Sequence, residues 1–332
     1  MKPIKVLGSL LFLLAVQSSL ADLTLRHSME LKMAAMPGVP PEAAAAMRKA
    51  MESVLPKEMT MQVKGDKALV KSTLTQITDF NRDEITLLDA GSKRFATASL
   101  SQFTPKMEGL QAMPPESQKA LEGMKIDAQT RKTGRAGLLN GIQSEEYEIV
   151  MSMTMPMPGA SGQQAPATVV RMETQYWVAA AGEADRLPAT KEFASYSAKM
   201  KSAMNCVDKM SKIFDQAPGM GEKLRPMMEE FMKMSDKLVV RMRMSMYMPM
   251  MADVARQLKK AGQPLPEGFD PKAPMMEMSQ DLLELSSSTL PDELFQVPTD
   301  YQNAPMDDLM KRMMPDMTEF MKKSQAPAAA KQ

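Results

Sequence analysis

The chain has 332 residues, with 41 Lys and Arg against 40 Asp and Glu and a formal net charge of +1. A charge so balanced has no electrostatic footprint for nucleic acid, and that class of partner is excluded. Methionine fills 39 positions while Phe, Trp and Tyr together fill 16, and Cys206 is the single cysteine. No internal disulfide can form, so stability rests on burial.

Lys2 and Lys5 precede an apolar run from Val6 to Val16, and Ser19-Leu20-Ala21 is a small-x-small cleavage pattern. This predicts a secretory signal peptide over residues 1–21, cut after Ala21. The run is shorter than the ~20 residues of a membrane span. No Cys follows Ala21 for lipid attachment, and no later segment is long and apolar enough to cross a bilayer. The expectation is a soluble periplasmic or secreted protein with no transmembrane segment.

From Asp22 to Met33 the pattern alternates: Leu23, Leu25, His27, Met29, Leu31 and Met33 share one face of a strand. Pro37-Gly-Val-Pro-Pro breaks it, and Glu42 to Leu55 predicts an Ala/Met-rich helix. Period two returns over Lys57 to Val63, and Gly65-Asp66 marks a tight turn. Short strands follow at 68–74, 76–80, 84–89 and 94–100, joined by Asn81-Arg-Asp and Ala90-Gly-Ser turns as in an antiparallel meander. Pro114 to Met124 predicts a short helix, and strands resume at 126–131, 143–157 and 167–179, the last two as a long hairpin. In that hairpin Met151, Met153, Met155 and Met157 share a side, as do Met172, Thr174, Tyr176 and Val178.

Helical periodicity then takes over at 190–214 and 221–234. A strand at 237–248 carries Met242, Met244, Met246 and Met248 on one side, a helix covers 250–261, and a strand covers 275–288. Strand, Pro-interrupted helix, strand thus occurs twice, at 22–63 and 237–288, as two hairpins whose tips have grown helices. Met306 to Lys322 predicts an amphipathic helix with a broad Met stripe, suited to fold back as a lid. The Ala/Pro/Lys tail reads as disordered.

Several stretches match a known group in order. They are Val63-Lys-Gly-Asp-Lys, the run from Ile77-Thr-Asp-Phe-Asn-Arg-Asp through Gly91-Ser-Lys-Arg-Phe, Thr133-Gly-Arg with Asn140-Gly-Ile-Gln-Ser-Glu-Glu-Tyr, Glu173-Thr-Gln-Tyr-Trp-Val-Ala, and Leu294-Phe-Gln-Val-Pro-Thr-Asp-Tyr. Together they resemble exported proteins of the lipoprotein-carrier-type (LolA/LolB-like) superfamily, in a branch whose ligands are mostly unknown. The resemblance implies an α+β fold: a curved antiparallel β half-barrel with helices packed on its concave apolar face. It implies residues 22–302 as one sheet domain with helical insertions at about 36–55, 190–234 and 249–262, then a C-terminal helix at 303–324 and a disordered tail at 325–332. Those insertions and the Met enrichment depart from the group, and no ligand-contacting arginine maps onto this chain.

One-sided strands need their apolar face covered. Flexible, polarizable Met suits a face that must adapt to variable contacts. The leading expectation is therefore non-catalytic binding or shuttling of a hydrophobic ligand, a lipid or lipoprotein acyl chain, with peripheral contact to envelope membranes. Its candidate lining residues are Leu25, Met29, Leu31, Met153, Met155, Met172, Tyr176, Met242, Met244 and Met246. The plainer alternative is that helices cover the face and the methionines are core, in a structural envelope protein without a ligand. A sharper one is Cu(I) bound by thioethers, which are soft ligands. Surface methionines that absorb oxidants are a third, opposed by the inward placement of most of them. Catalysis finds no foundation: His27 is the one histidine and faces the dry side, so zinc and thiol–imidazole sites cannot be assembled. Glu145 and Glu146 alternate faces, and no Gly-rich phosphate loop is present. No enzymatic activity and no cofactor are expected.

Overall fold

The computed structural model describes residues 22–39, 41–103, 123–158, 164–204 and 220–313. The signal-peptide segment, most of the helix expected at 114–124, the second part of the 190–214 helix with Cys206, and everything past Met313 lie outside the described residues.

Strands β1 (Leu23–Met33), β2 (Glu58–Lys64), β3 (Lys67–Lys71), β4 (Thr75–Asp79), β5 (Glu84–Asp89) and β6 (Arg94–Ser99) form one meander. Strands β7 (Lys125–Leu139), β8 (Ile142–Pro158), β9 (Gln164–Ala179), β10 (Val239–Tyr247) and β11 (Met276–Ser286) form a second. The chain is α+β, and its twelve described strands make one open sheet in the order β12-β6-β5-β4-β3-β2-β1-β11-β10-β9-β8-β7. All neighbours are antiparallel except β12 (Gln302–Asn303), which runs parallel to β6. The two meanders are seamed by β1 against β11, from Thr24 opposite Ser286 to Met33 opposite Met276. Helices are α1 (Pro41–Val54), α2 (Glu183–Arg186), α3 (Pro188–Met204), α4 (Met220–Met232), α5 (Met251–Lys260) and α6 (Met306–Met313). None of the described helices is long and apolar enough to cross a membrane.

Turn chemistry and bulges account for the strand boundaries. Asn140 (φ 51°) and Gly141 (φ 76°) give β7 and β8 a two-residue turn of the left-handed kind, whose twist matches that of its strands. The strand expected to end at Arg131 instead runs to Leu139. It does so through an irregularity between Lys132 and Ala136, where Gly134 adopts φ 82°, and the inserted residues hide the alternation.

The inner face, the side bearing Leu23, Leu25 and Met29, is roofed unevenly. Ala189, Phe193 and Tyr196 of α3 pack on Leu23, Leu25, Met61, Val63 and Ala68. Lys199 pins that helix to the β2–β3 turn through Asp66 at 2.7 Å. Leu224 and Met227 of α4 cover Met124, Ile126, Met153 and Met155. Phe231, with Met234 just past the helix, covers Ile149, Tyr176, Val178 and Met242. Leu309 of α6 is fully buried against Leu74, Leu87 and Ala96. On the other face, Leu290 and Phe295 close over Leu69, Ile77 and Leu88. The sheet bends sharply at one corner, because Ile142 beside the β7–β8 turn reaches Leu25, Val240 and Leu282 across the inner face. Asn140 Nδ2 donates to the Leu282 carbonyl at the same place.

Candidate functional site

Pairing register converts the period-two methionines into rows that cross the sheet. Met33, Met276, Met246, Met172 and Met151 lie directly opposite one another on β1, β11, β10, β9 and β8. Two residues along, Leu31, Met278, Met244, Thr174 and Ile149 form the next row. The row after that holds Met29, Gln280, Met242, Tyr176 and Tyr147. Neighbouring strands lie ~4.8 Å apart, and opposed Cβ atoms lie ~4.5–5.5 Å apart. Five thioethers therefore run side by side across five strands.

Exposure divides the ten candidate residues. Leu25 is 1% exposed beneath α3, and Tyr176 (9%) and Met242 (8%) are packed beneath Phe231 and Met234. Met153 and Met155 contact Leu224 and Met227 of α4. These five are held by the protein's own helices. Met29, Leu31, Met172, Met244 and Met246 are half-buried, and no packing cluster of the described residues includes them. The rows also bring in Met33, Met151, Met276 and Met278, which the candidate set omits. Their signal was present, since each continues the alternation of its own strand.

The half-buried rows lie at the end of the sheet from which both helical tips emerge. Met33 leads to α1 and Met246 leads to α5, while the Met275 amide donates to the Met246 carbonyl at 2.8 Å. The Ala34 amide donates to the Met275 carbonyl at 2.9 Å, which fixes this end of the β1–β11–β10 seam. A Cβ on Gly38, just before α1, would lie 3.9 Å from Leu258 Cδ1 of α5, so the two tips are neighbours. The electrostatics are sparse. Gln280, Thr174 and the hydroxyls of Tyr176 and Tyr147 are the polar groups of the three rows, and Thr174 Oγ1 is buried without a hydrogen-bond partner among the described residues.

His27 is buried, and its Nε2 lies 3.1 Å from the Val239 carbonyl on β10, two strands away. That carbonyl belongs to a bulge, where Val239 faces Val178 but Arg241 faces Trp177. The imidazole thus serves a main-chain group that the ladder leaves over, and burial pushes its pKa below the ordinary value. The carboxylates of the β-meander hold turns: Asp79 accepts from the Asn81 and Arg82 amides at 3.1 Å, and Asp83 accepts from the Ser101 amide at 2.8 Å. Glu145 pairs with Lys132 at 2.7 Å, while Glu146, 1% exposed, pairs with Arg135 and accepts from Thr133 at 2.7 Å. On the outer face, burial works against the charge of Asp281, but Arg241 and Arg243, each at 2.7 Å, hold its pKa below the usual carboxylate range. Among the described residues no three His, Cys, Asp or Glu side chains converge as a metal site.

A shallow cleft of about 140 Å³ lies elsewhere, between the Asn140-Gly141 turn, Leu187 and Leu282 to Leu285. It is separate from the Met rows. No protein-family model matches the chain, and no curated protein matches it.

Proposed function

We propose that the chain is a non-catalytic carrier that holds an apolar ligand, a lipid or a lipoprotein acyl chain, against the Met rows of its inner face. The observation that carries this reading is the contrast along that face. Three helices roof most of it, whereas Met29, Leu31, Met33, Met172, Met244, Met246 and Met276 remain half-buried at the end beside α1 and α5, outside every packing cluster of the described residues. An acyl chain laid along these rows gains about 0.8 kcal/mol per buried methylene. A segment of about ten methylenes then contributes ~8 kcal/mol before its own ordering is counted against it. Thioether side chains re-pack around differing chain shapes at small cost, as a carrier requires. The resemblance of the ordered motifs to the lipoprotein-carrier type supports this reading, and an open antiparallel sheet is consistent with a half-barrel. In this reading the protein works in the periplasm or outside the cell, after its leader is removed.

Delipidated protein titrated with a fluorescent fatty acid is the test. Saturation near one equivalent, competed by unlabelled acyl chains, is expected. Absence of stoichiometric uptake would remove the carrier reading.

A further inference from the structure

We infer that Met244, Met246, Met276 and Met278 form a Cu(I) site. Met244 lies opposite Met278 and Met246 opposite Met276, so the four residues are the corners of a rectangle on two adjacent strands. Strand spacing and a two-residue rise make it about 4.8 by 6.8 Å, so its centre is ~4.2 Å from each corner. All four side chains rise from the same face. Each has three rotatable bonds, which lets its sulfur swing inward over that centre, where soft-metal–sulfur bonds need about 2.3 Å. Met33 and Met172 flank the rectangle as further thioethers in the same row.

The donor set selects the metal. Thioether sulfur is neutral and soft, which favours Cu(I) over Zn(II) or Cu(II), ions that prefer imidazole, carboxylate or thiolate. The inward neighbours are Leu31, Met33, Met172, Thr174, Met242 and Gln280, so no carboxylate, imidazole or ammonium shares the rows. A singly charged ion on neutral ligands also suffers less from partial burial than a doubly charged one. Met244, Met246 and Met276 are half-buried outside every packing cluster of the described residues, and Met278 packs at the edge of the cluster of Tyr176, Met234 and Met242, so an incoming ion approaches from the side of the first three. The backbone beneath is held by the Met275 amide on the Met246 carbonyl at 2.8 Å. Because thioethers carry no proton to displace, binding is independent of pH, unlike binding at a His or Cys site.

The test is anaerobic titration of the full chain with Cu(I) against a chromophoric chelator, at pH 5.5 and 7.5, with X-ray absorption on the loaded protein. One equivalent bound more tightly than micromolar, equal affinity at both pH values and a sulfur-only shell are expected. Met→Leu exchanges conserve volume and apolarity. The pairs Met244→Leu/Met246→Leu and Met276→Leu/Met278→Leu should each lower Cu(I) affinity at least 100-fold. The exchange Met61→Leu, beneath α3 and outside the Met rows, should leave Cu(I) affinity unchanged. Micromolar or weaker binding, nitrogen or oxygen ligands in the absorption spectrum, or affinity undiminished in both rectangle pairs would overturn the site. Cu(I) titration and fatty-acid uptake are separate readouts on the unsubstituted protein, so failure of the copper site and failure of the carrier reading give different results.

Discussion

Leu25→Ala and Met246→Ala, made separately, distinguish packed core from open lining. Leu25 is 1% exposed, and it is enclosed by Leu23, Val63, Leu282 and the α3 side chains Phe193 and Tyr196. Truncating it loses the transfer free energy of the removed atoms and leaves a cavity that rigid neighbours close poorly, at about 3–5 kcal/mol. Met246 also loses three heavy atoms on truncation, but it is half-buried and belongs to none of the packing clusters of the described residues. Only part of the transfer term is lost and no closed cavity forms, so the cost should be about 1 kcal/mol. Urea denaturation of both variants, with m-values compared so that midpoint shifts report stability, is the assay. The same samples report fatty-acid uptake. Leu25→Ala should lower stability and spare affinity in the fraction that remains folded, whereas Met246→Ala should lower affinity and spare stability. Equal destabilisation by the two would mean that the Met rows are solid core and that the face has no room for a guest.

Other outcomes follow from particular contacts. The folded-state pKa of His27 lies below its unfolded value of about 6.5 because of burial, so the unfolded chain binds the proton first as pH falls. Stability should thus be full above about pH 6.5 and decline below it. In His27→Gln that part of the pH dependence, read by urea midpoints between pH 5 and 8, should vanish, and an unaltered slope would contradict the assignment. Truncation after Asn303 removes Leu309 from Leu74, Leu87 and Ala96, and should cost at least about 2–3 kcal/mol in a urea titration. Unchanged stability and ligand retention would end any covering role for this helix. Arg135→Met leaves the buried Glu146 carboxylate with Thr133 as its remaining partner, and a loss of about 1–3 kcal/mol is expected. A neutral result would show that solvent replaces the arginine at no cost.

Strict alternation made the strands legible, most clearly β1 and the β8–β9 hairpin, because a half-buried strand must place every second residue inward; β5, buried on both faces, was legible from the turns that bound it. The helical tips were legible from the Pro-rich break before α1 and from Pro249 before α5. Strand order was not. No local pattern states that β1 pairs with β11, and that seam alone puts Met33 in line with Met276. The inward set was readable strand by strand, yet alternation cannot distinguish an inward residue under a helix from one left open. Leu25 and Met246 show the same period-two signal, and only the paths of α3 and α4 separate them. β7 was read short because the Gly134 irregularity interrupts its period, and the residues around it, Lys132 to Arg135, give no apolar side to follow. His27 was read as facing the dry side, but its partner was beyond reach of the sequence, since the Val239 carbonyl lies at a bulge two strands away that only pairing reveals.

Native mass spectrometry of the protein isolated from its own cellular envelope addresses the Met face most directly, because mild ionisation preserves guests held by apolar contact. A mass excess released by organic solvent, matching an acyl-bearing lipid and reduced in Met246→Ala, is the predicted result. The bare polypeptide mass in repeated preparations, together with no uptake after incubation with lipid vesicles, would contradict the carrier account.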